Sequence, residues 1–207
     1  NNDTAYESAI ALNKKGIKVE AIVDIRENPN SEFTKEAENL SIKIYKNHTV
    51  VNTHGYKKLN KISIMELSKD GQSFANSNET ILDCDCLGMA GGWTPAVHLF
   101  TQSGGKLKFR DKDQVFIPNE YPSDQISIGS CNGDFELDEI INNTSKKLKE
   151  FLNVNQTDFD NLDVKCPKDK TIRNIWLLPS NKVLGKTKPF VDYQNDATAK
   201  DIKLALR

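Results

Sequence analysis

Thr4-Ala5-Tyr6-Glu7-Ser8-Ala9-Ile10-Ala11-Leu12-Asn13-Lys14-Lys15-Gly16-Ile17-Lys18-Val19-Glu20-Ala21-Ile22-Val23-Asp24 is the stretch on which the fold reading turns. Asn2 or Asp3 can cap a helix over residues 4–15, because a short polar side chain accepts from the first free backbone N–H groups. Ala5, Ala9 and Leu12 fall near one face of that helix, and Gly16 stands just past its end, where a left-handed residue closes the last turn. The alternation Ile17, Val19, Ala21, Val23 then predicts a strand ending at Asp24. A helix followed at once by a strand is half of a βαβ unit, whose other strand precedes the helix. The order therefore predicts a strand before Thr4 and reads as a segment of a longer chain.

The pattern continues outward. Glu27-Asn28-Pro29-Asn30-Ser31 is a turn, residues 32–40 a short helix and residues 41–45 a second strand. Val50-Val51 on one side of Gly55, with Ile62, Ile64 and Leu67 on the other, predict a hairpin, and Asp70-Gly71 a second hairpin-type turn. Residues 80–90 read as a last strand running into Gly91-Gly92-Trp93-Thr94-Pro95. This is a small α/β domain of the nucleotide-binding, Rossmann-like type.

Residues 101–124 read as loop, with brief strand candidates such as Val115-Phe116-Ile117. Residues 125–128 predict a short strand leading into Gly129-Ser130-Cys131-Asn132-Gly133, followed by a helix over about 135–151 whose apolar face is Leu137, Ile140, Ile141 and Leu148. Residues 153–163 are acidic and Asn-rich, in the manner of a linker. Beyond them lie Ile175-Trp176-Leu177-Leu178, a turn over 179–185, Phe190-Val191-Asp192-Tyr193 and a helix starting near Thr198. The expected domains are a second dinucleotide-binding-type domain at 1–100, a return segment with the closing loop and helix of a first such domain at 101–153, and a small connecting α+β domain at 154–207.

Composition narrows the function. With 207 residues, 37% hydrophobic and 28% charged, the chain reads as soluble and globular. No apolar run nears the roughly 18 residues of a membrane span, and the polar opening is no signal peptide. A formal net charge of −1 gives no electrostatic support for a nucleic-acid or anionic-membrane partner. Four unevenly spaced cysteines suit a reducing, cytoplasmic setting rather than a disulfide framework.

Candidate chemistry is sparse. Dinucleotide folds use glycines before the first helix so that backbone N–H groups can approach pyrophosphate. Here Asn1-Asn2-Asp3-Thr4 holds that place, without glycine and with a repelling carboxylate. Asp24 stands where a ribose-binding carboxylate would, or else caps a loop in a fold without ligand. The Gly91-Gly92 turn reads as a crossing between domains. The 129–133 turn presents backbone donors before a helix and is the better anion site. Cys84 and Cys86 lie in an alternating strand, their thiols on one face, and read as buried structural thiols. With no paired Cys or His at zinc spacing, no metal site is expected. His48, His54 and His98 are scattered, and no catalytic constellation forms.

The run Cys86-Leu87-Gly88-Met89-Ala90-Gly91-Gly92-Trp93-Thr94-Pro95-Ala96-Val97-His98-Leu99, with Gln102-Ser103-Gly104-Gly105-Lys106-Leu107 after it, resembles the alpha subunit of heterotetrameric sarcosine oxidase. So does Phe190-Val191-Asp192-Tyr193-Gln194-Asn195-Asp196-Ala197-Thr198-Ala199-Lys200-Asp201-Ile202, and the openings Asn2-Asp3-Thr4-Ala5-Tyr6 and Val23-Asp24-Ile25-Arg26 fit as well. The resemblance implies a two-dinucleotide-domain flavoprotein type of fold. It implies an oxidoreductase that demethylates sarcosine to glycine, with hydrogen peroxide and formaldehyde or methylenetetrahydrofolate as the other products. Partners would be the beta, gamma and delta subunits. FAD, FMN and tetrahydrofolate would sit outside this segment, and the amine-oxidising site in the beta subunit. NAD would be held by the alpha subunit, contacting Gly129, Ser130, Gly133, Asp134 and Phe135, with Asp24 as a second candidate in the other domain. Related reductases carry Gly-Asp where this chain has Gly129-Ser130, which removes a carboxylate suited to flavin ribityl hydroxyls. A related iron–sulfur domain would place a Cys-x-Cys pair at Asp192 and Gln194; neither is cysteine, so no cluster is expected there. An NAD-linked flavin reductase component and a non-catalytic dinucleotide-fold scaffold are the alternatives.

Overall fold

A computed structural model describes residues 1–155, 164–166, 171–180, 188–192 and 195–207. The chain is mixed α/β and divides into two compact units. One comprises Asn1–Thr4, Asn30–Lys35 and Ala90–Asn174; the other comprises Ala5–Pro29, Glu36–Met89 and Ile175–Arg207. No helix among the described residues is long and apolar enough to cross a membrane.

The second of these units holds most of the expected α/β pattern, Thr4 and the first half of the second helix being grouped with the other. Helix α1 (Thr4–Lys14) leads to strand β1 (Ile22–Asp24), helix α2 (Glu32–Asn39) and strand β2 (Ile44–Lys46), and β1 and β2 pair in parallel with Ile22 opposite Ile44. Parallel neighbours need a crossover, and α2 supplies it. The buried face of α1 is Tyr6, Ala9 and Ile10, spaced i, i+3, i+4, whereas Leu12 is left 45% exposed. Of the predicted face Ala5, Ala9 and Leu12, Ala9 is buried, Ala5 is half-buried and Leu12 is outside, with Tyr6 and Ile10 completing the inward face. The strand phase is corrected too. Ile17 is exposed and pairing begins only at Ile22, with Ile22, Asp24 and Arg26 buried and Val23 half-buried. Hydrophobic alternation misses this phase because two of the three inward side chains are charged.

Strands β3 (His48–His54), β4 (Lys61–Glu66) and β5 (Thr80–Asp83) form an antiparallel sheet in that order. β4 is central, and Ile62, Ser63, Ile64 and Met65 are all buried, so both of its faces are covered. At the β3–β4 turn a Cβ on Gly55 would stand 1.9 Å from the Lys58 carbonyl oxygen, at φ +139, so the turn requires glycine. The Asp70-Gly71 turn closes with Leu67 bridging Phe74. β5 stops at Asp83, far short of the predicted 80–90. Strands β8 (Phe190–Asp192) and β9 (Ala197–Thr198) make a small antiparallel pair before a C-terminal helix, Ala199–Ala205, which Thr198 caps.

The other unit is more regular than the loop predicted for 101–124. Helix α3 (His98–Gln102) precedes an antiparallel hairpin of β6 (Lys106–Arg110) and β7 (Val115–Glu120). Phe100 is buried, with the Tyr121 ring edge-on at 5.1 Å, and a Cβ on Gly105 would collide with the Phe100 ring. Residues 125–128, predicted as strand, run without a pairing partner into a 3-10 turn, Gly129–Asn132. Helix α4 (Leu137–Leu152) follows, close to its predicted span. The apolar run 175–178 forms no strand. Tyr193, Gln194 and most of the 153–163 and 179–185 segments lie outside the described residues.

Candidate functional site

Asp24 closes β1 and is 2% exposed. Its Oδ2 accepts from Arg26 Nη2 at 2.8 Å and Nε at 3.0 Å, and from the Tyr6 hydroxyl at 3.0 Å. Its Oδ1 accepts from the Arg26 backbone N–H at 2.9 Å and from Nε at 3.2 Å. The Arg26 guanidinium also lies 5.7 Å from the Tyr6 ring centroid. Arg26 lies two residues past Asp24, just beyond the end of β1, and is buried with it, while Tyr6 reaches the carboxylate from α1. The Arg26 carbonyl accepts from the Asn47 N–H at 2.9 Å, and Asn47 exchanges two hydrogen bonds with Leu67 backbone groups at 2.7 Å. The carboxylate thus ties α1 to the end of the parallel pair, and its oxygens are engaged by the protein's own donors.

At the head of α1, Asn2 Oδ1 accepts from the Thr4 N–H at 3.0 Å, the predicted cap, and Asp3 is buried.

The 129–133 turn, in the unit that contains Ala90–Asn174, is built on its glycines. Gly129 (φ +69) opens the 3-10 turn and Gly133 (φ +81) ends it. The N–H groups of Gly133 and Asp134 fold back to the carbonyls of Ser130 and Gly129. Gly133 is packed: a Cβ there would stand 2.8 Å from Arg110 Nη2 and 2.8 Å from Ile117 Cγ2. Gly129 is open, with nothing nearer than Ile140 Cγ2 at 3.8 Å. Arg110 holds the turn by donating to the Gly133 carbonyl at 2.7 Å, while Asp113 grips the same guanidinium in a bidentate pair. Those Asp113 hydrogen bonds raise the Arg110 pKa above its ordinary range.

Behind the turn sits a polar cluster. Lys147 of α4 donates to the Ser127 carbonyl at 2.9 Å and to Asn132 Oδ1 at 2.7 Å. Asp134, 6% exposed, accepts from the side-chain amides of Asn132 at 3.0 Å and Asn143 at 2.9 Å. Of the residues expected to face a cofactor, Ser130 is exposed, Gly129 and Phe135 are half-buried, and Gly133 and Asp134 are buried. Gly129 and Ser130 leave their side of the turn open, and the Lys147 ammonium sits behind it, engaged by the Ser127 carbonyl and Asn132. The Asp134 carboxylate instead ties the turn to α4.

The cysteines correct one expectation. Because β5 ends at Asp83, Cys84 and Cys86 share no strand face, and neither is buried: Cys84 is half-exposed and Cys86 exposed. Among the described residues no group of three or more His, Cys, Asp or Glu is arranged to hold a metal ion. Asp192 accepts from Asn195 Nδ2 at 2.7 Å within a turn, and its expected companion Gln194 lies outside the described residues. Sequence reasoning missed Tyr6, Arg26, Arg110, Asn143 and Lys147. Their roles depend on partners 2 to 23 positions away in the chain, which no local motif announces.

No family model matches the chain. Among curated proteins it is 28% identical over 218 residues to the sarcosine oxidase subunit alpha of Rhizobium meliloti (strain 1021), covering 100% of this chain and 20% of that one. It is 26% identical over 215 residues to the subunit of the same name from Corynebacterium sp. (strain P-1), covering 97% of this chain and 21% of that one. Solved structures similar to it include T. acidophilum thioredoxin reductase, at TM-score 0.43 and 15% identity over 61% of this chain and 43% of that one. Another is L-proline dehydrogenase from P. horikoshii, at TM-score 0.42 and 20% identity over 71% of this chain and 29% of that one. The chain spans about a fifth of the length of the curated relatives it matches, and over essentially its whole length it is similar to sarcosine oxidase alpha subunits.

Proposed function

We propose that this chain forms the NAD-binding and scaffolding part of the alpha subunit of a heterotetrameric, sarcosine oxidase-like enzyme. The observation that carries this reading is the similarity to such alpha subunits along the whole chain at 24–28% identity. In this reading the enzyme demethylates sarcosine to glycine in the cytoplasm, releasing hydrogen peroxide with formaldehyde or methylenetetrahydrofolate. The beta, gamma and delta subunits are its partners, and FAD, FMN and tetrahydrofolate are bound outside this chain.

Bound NAD would supply a pyrophosphate for the backbone of Gly129 and Ser130, with Phe135 and the Gly133 end of the turn alongside. Arg110, Asp134 and Lys147 hold that backbone in place. The test uses the intact subunit. Asn tolerates a left-handed backbone, so Gly129→Asn keeps the turn while filling the open space at Gly129. Its NAD content, measured as nucleotide released on denaturation, should fall well below the parent's at unchanged melting temperature. Undiminished NAD would mean that the cofactor lies elsewhere.

One observation favours a second reading, a non-catalytic scaffold: Asp24, placed where a ribose carboxylate would be, is occupied by Arg26 and Tyr6. An intact parent subunit that purifies without any nucleotide would support it.

A further inference from the structure

We propose that Cys84 and Cys86 form a dithiol site, oxidised to an intramolecular disulfide by neutral or cationic low-molecular-weight disulfides. A disulfide needs Cα atoms about 4.4–6.8 Å apart and facing Cβ atoms. In a continuous strand, residues two apart stand at about 6.6–6.8 Å, the upper limit of that window. Here the strand has already ended. β5 is an edge strand that stops at Asp83, and the chain bends at Asp85, between the two cysteines. A bend at the middle residue shortens the span between the flanking Cα atoms relative to an extended strand, and the absence of a ladder beyond Cys84 leaves Cys86 able to turn towards it.

The two thiols are unequal, which divides the work. Cys84 is anchored, its N–H donating to the Asn60 carbonyl at 3.1 Å, and its side chain is half-buried. Burial, then the charges of Asp85, Cys86, Glu20 and Asp83, push the Cys84 thiol above its ordinary range. Cys86 is exposed, and beyond it Gly88 and Gly91 have nothing within 4 Å of a Cβ position. Cys86 is therefore the attacking thiol and Cys84 the resolving one. The Cys86 thiolate attacks one sulfur of the reagent and expels one small thiolate. The Cys84 thiolate then attacks the Cys86 sulfur of the mixed disulfide and expels the second. Two protons leave the protein, and two electrons pass to the reagent. Glu20 and Asp83 are paired with Lys18 and Lys61, so Asp85, between the two cysteines, sets the net negative charge that disfavours anionic disulfides and favours cationic ones. The product would fix the bend at Asp85, from which the irregular stretch towards Val97 departs.

The test treats the full-length protein with cystamine, a dication, and with the anionic glutathione disulfide. In the parent, the peptide carrying both cysteines should become two hydrogens lighter, without a retained adduct. Cys84→Ser should instead keep one cysteamine on Cys86, and Cys86→Ser should leave Cys84 largely unmodified over the same time. Cystamine should react about tenfold faster than glutathione disulfide at low ionic strength, with the gap closing in salt. A stable adduct on Cys86 in the parent would overturn the proposal. So would bridging to Cys131 or Cys166, or reaction at those cysteines before Cys86. Matching circular dichroism of both serine variants keeps loss of fold out of the comparison.

Discussion

Asp24, the last residue of β1, and Arg26, two residues further on, form a buried ion pair whose side chains are 2% and 4% exposed, with Nη2 2.8 Å from Oδ2. The Tyr6 hydroxyl and the Arg26 backbone N–H complete the carboxylate's shell. Removing one partner leaves the other charge buried without compensation. Arg26→Met should therefore destabilise this unit by about 3–5 kcal/mol in urea unfolding. Replacing both, as Asp24→Leu with Arg26→Met, should recover much of that loss, since neither charge then needs solvating. A single-variant cost below about 1 kcal/mol would show that the pair is hydrated in solution.

Tyr6→Phe removes only the hydroxyl. The lost bond goes to a charged acceptor, so a cost of about 1.5–3 kcal/mol is expected, smaller than for Arg26→Met. If Tyr6→Phe is neutral by the same measurement, Tyr6 contributes through packing alone.

The two glycines of the 129–133 turn should behave differently. Both have positive φ, so an alanine at either costs about 1–2 kcal/mol from backbone strain. At Gly129 that is all, because the Cβ position is open. At Gly133 the new methyl also displaces Arg110 and Ile117, and the Arg110 bond to the Gly133 carbonyl with them. Gly133→Ala should then cost roughly 1–3 kcal/mol more than Gly129→Ala. Equal thermal melting of the two variants would mean that Arg110 does not hold the turn.

Thr198 and Asp201 cap the C-terminal helix reciprocally, the Thr198 N–H and hydroxyl both donating to Asp201 Oδ2. These hydrogen bonds, first that of the Thr198 side chain, lower the Asp201 pKa. A depressed carboxyl stabilises the fold above its unfolded pKa and loses that contribution as pH falls through its folded pKa. Helix 199–205 should therefore fray on acidification below the ordinary carboxylate range. Thr198→Val should shift the Asp201 midpoint back upward in an NMR titration; an unmoved midpoint would separate the shift from the cap.

Without an amine-oxidising constellation in its sequence, the chain by itself should release no peroxide from sarcosine when supplied with free flavins. Purified, it should be colourless and hold no stoichiometric iron or sulfide by elemental analysis. Peroxide release, or iron lost on replacing Cys84 or Cys86, would contradict this.

The sequence by itself determined the elements whose signals are local. α1 with its Asn2 cap, the α2 crossover, the Gly55 hairpin, α4 and the Thr198-capped helix follow from caps, periodicity and turn residues within a few positions of one another. It also carried the resemblance to sarcosine oxidase alpha subunits, in runs such as residues 86–99 and 190–202, and the similarity along the whole chain agrees with it. Tertiary structure decided what depends on distant partners. Tyr6 reverses the inward phase of β1 by giving a buried carboxylate and guanidinium a place where hydrophobic alternation expects Val23. The β6–β7 hairpin forms in a stretch of weak local pattern, because pairing supplies the hydrogen bonds that propensity alone does not announce. β5 ends at Asp83, opposite Lys61, the first residue of β4: the Cys84 N–H makes one last bond to the Asn60 carbonyl, and the chain then bends away at Asp85. At the 129–133 turn the sequence identified the glycines. Only the fold shows that one is open to a ligand while the other is closed by Arg110, for that difference rests on a side chain 23 residues away.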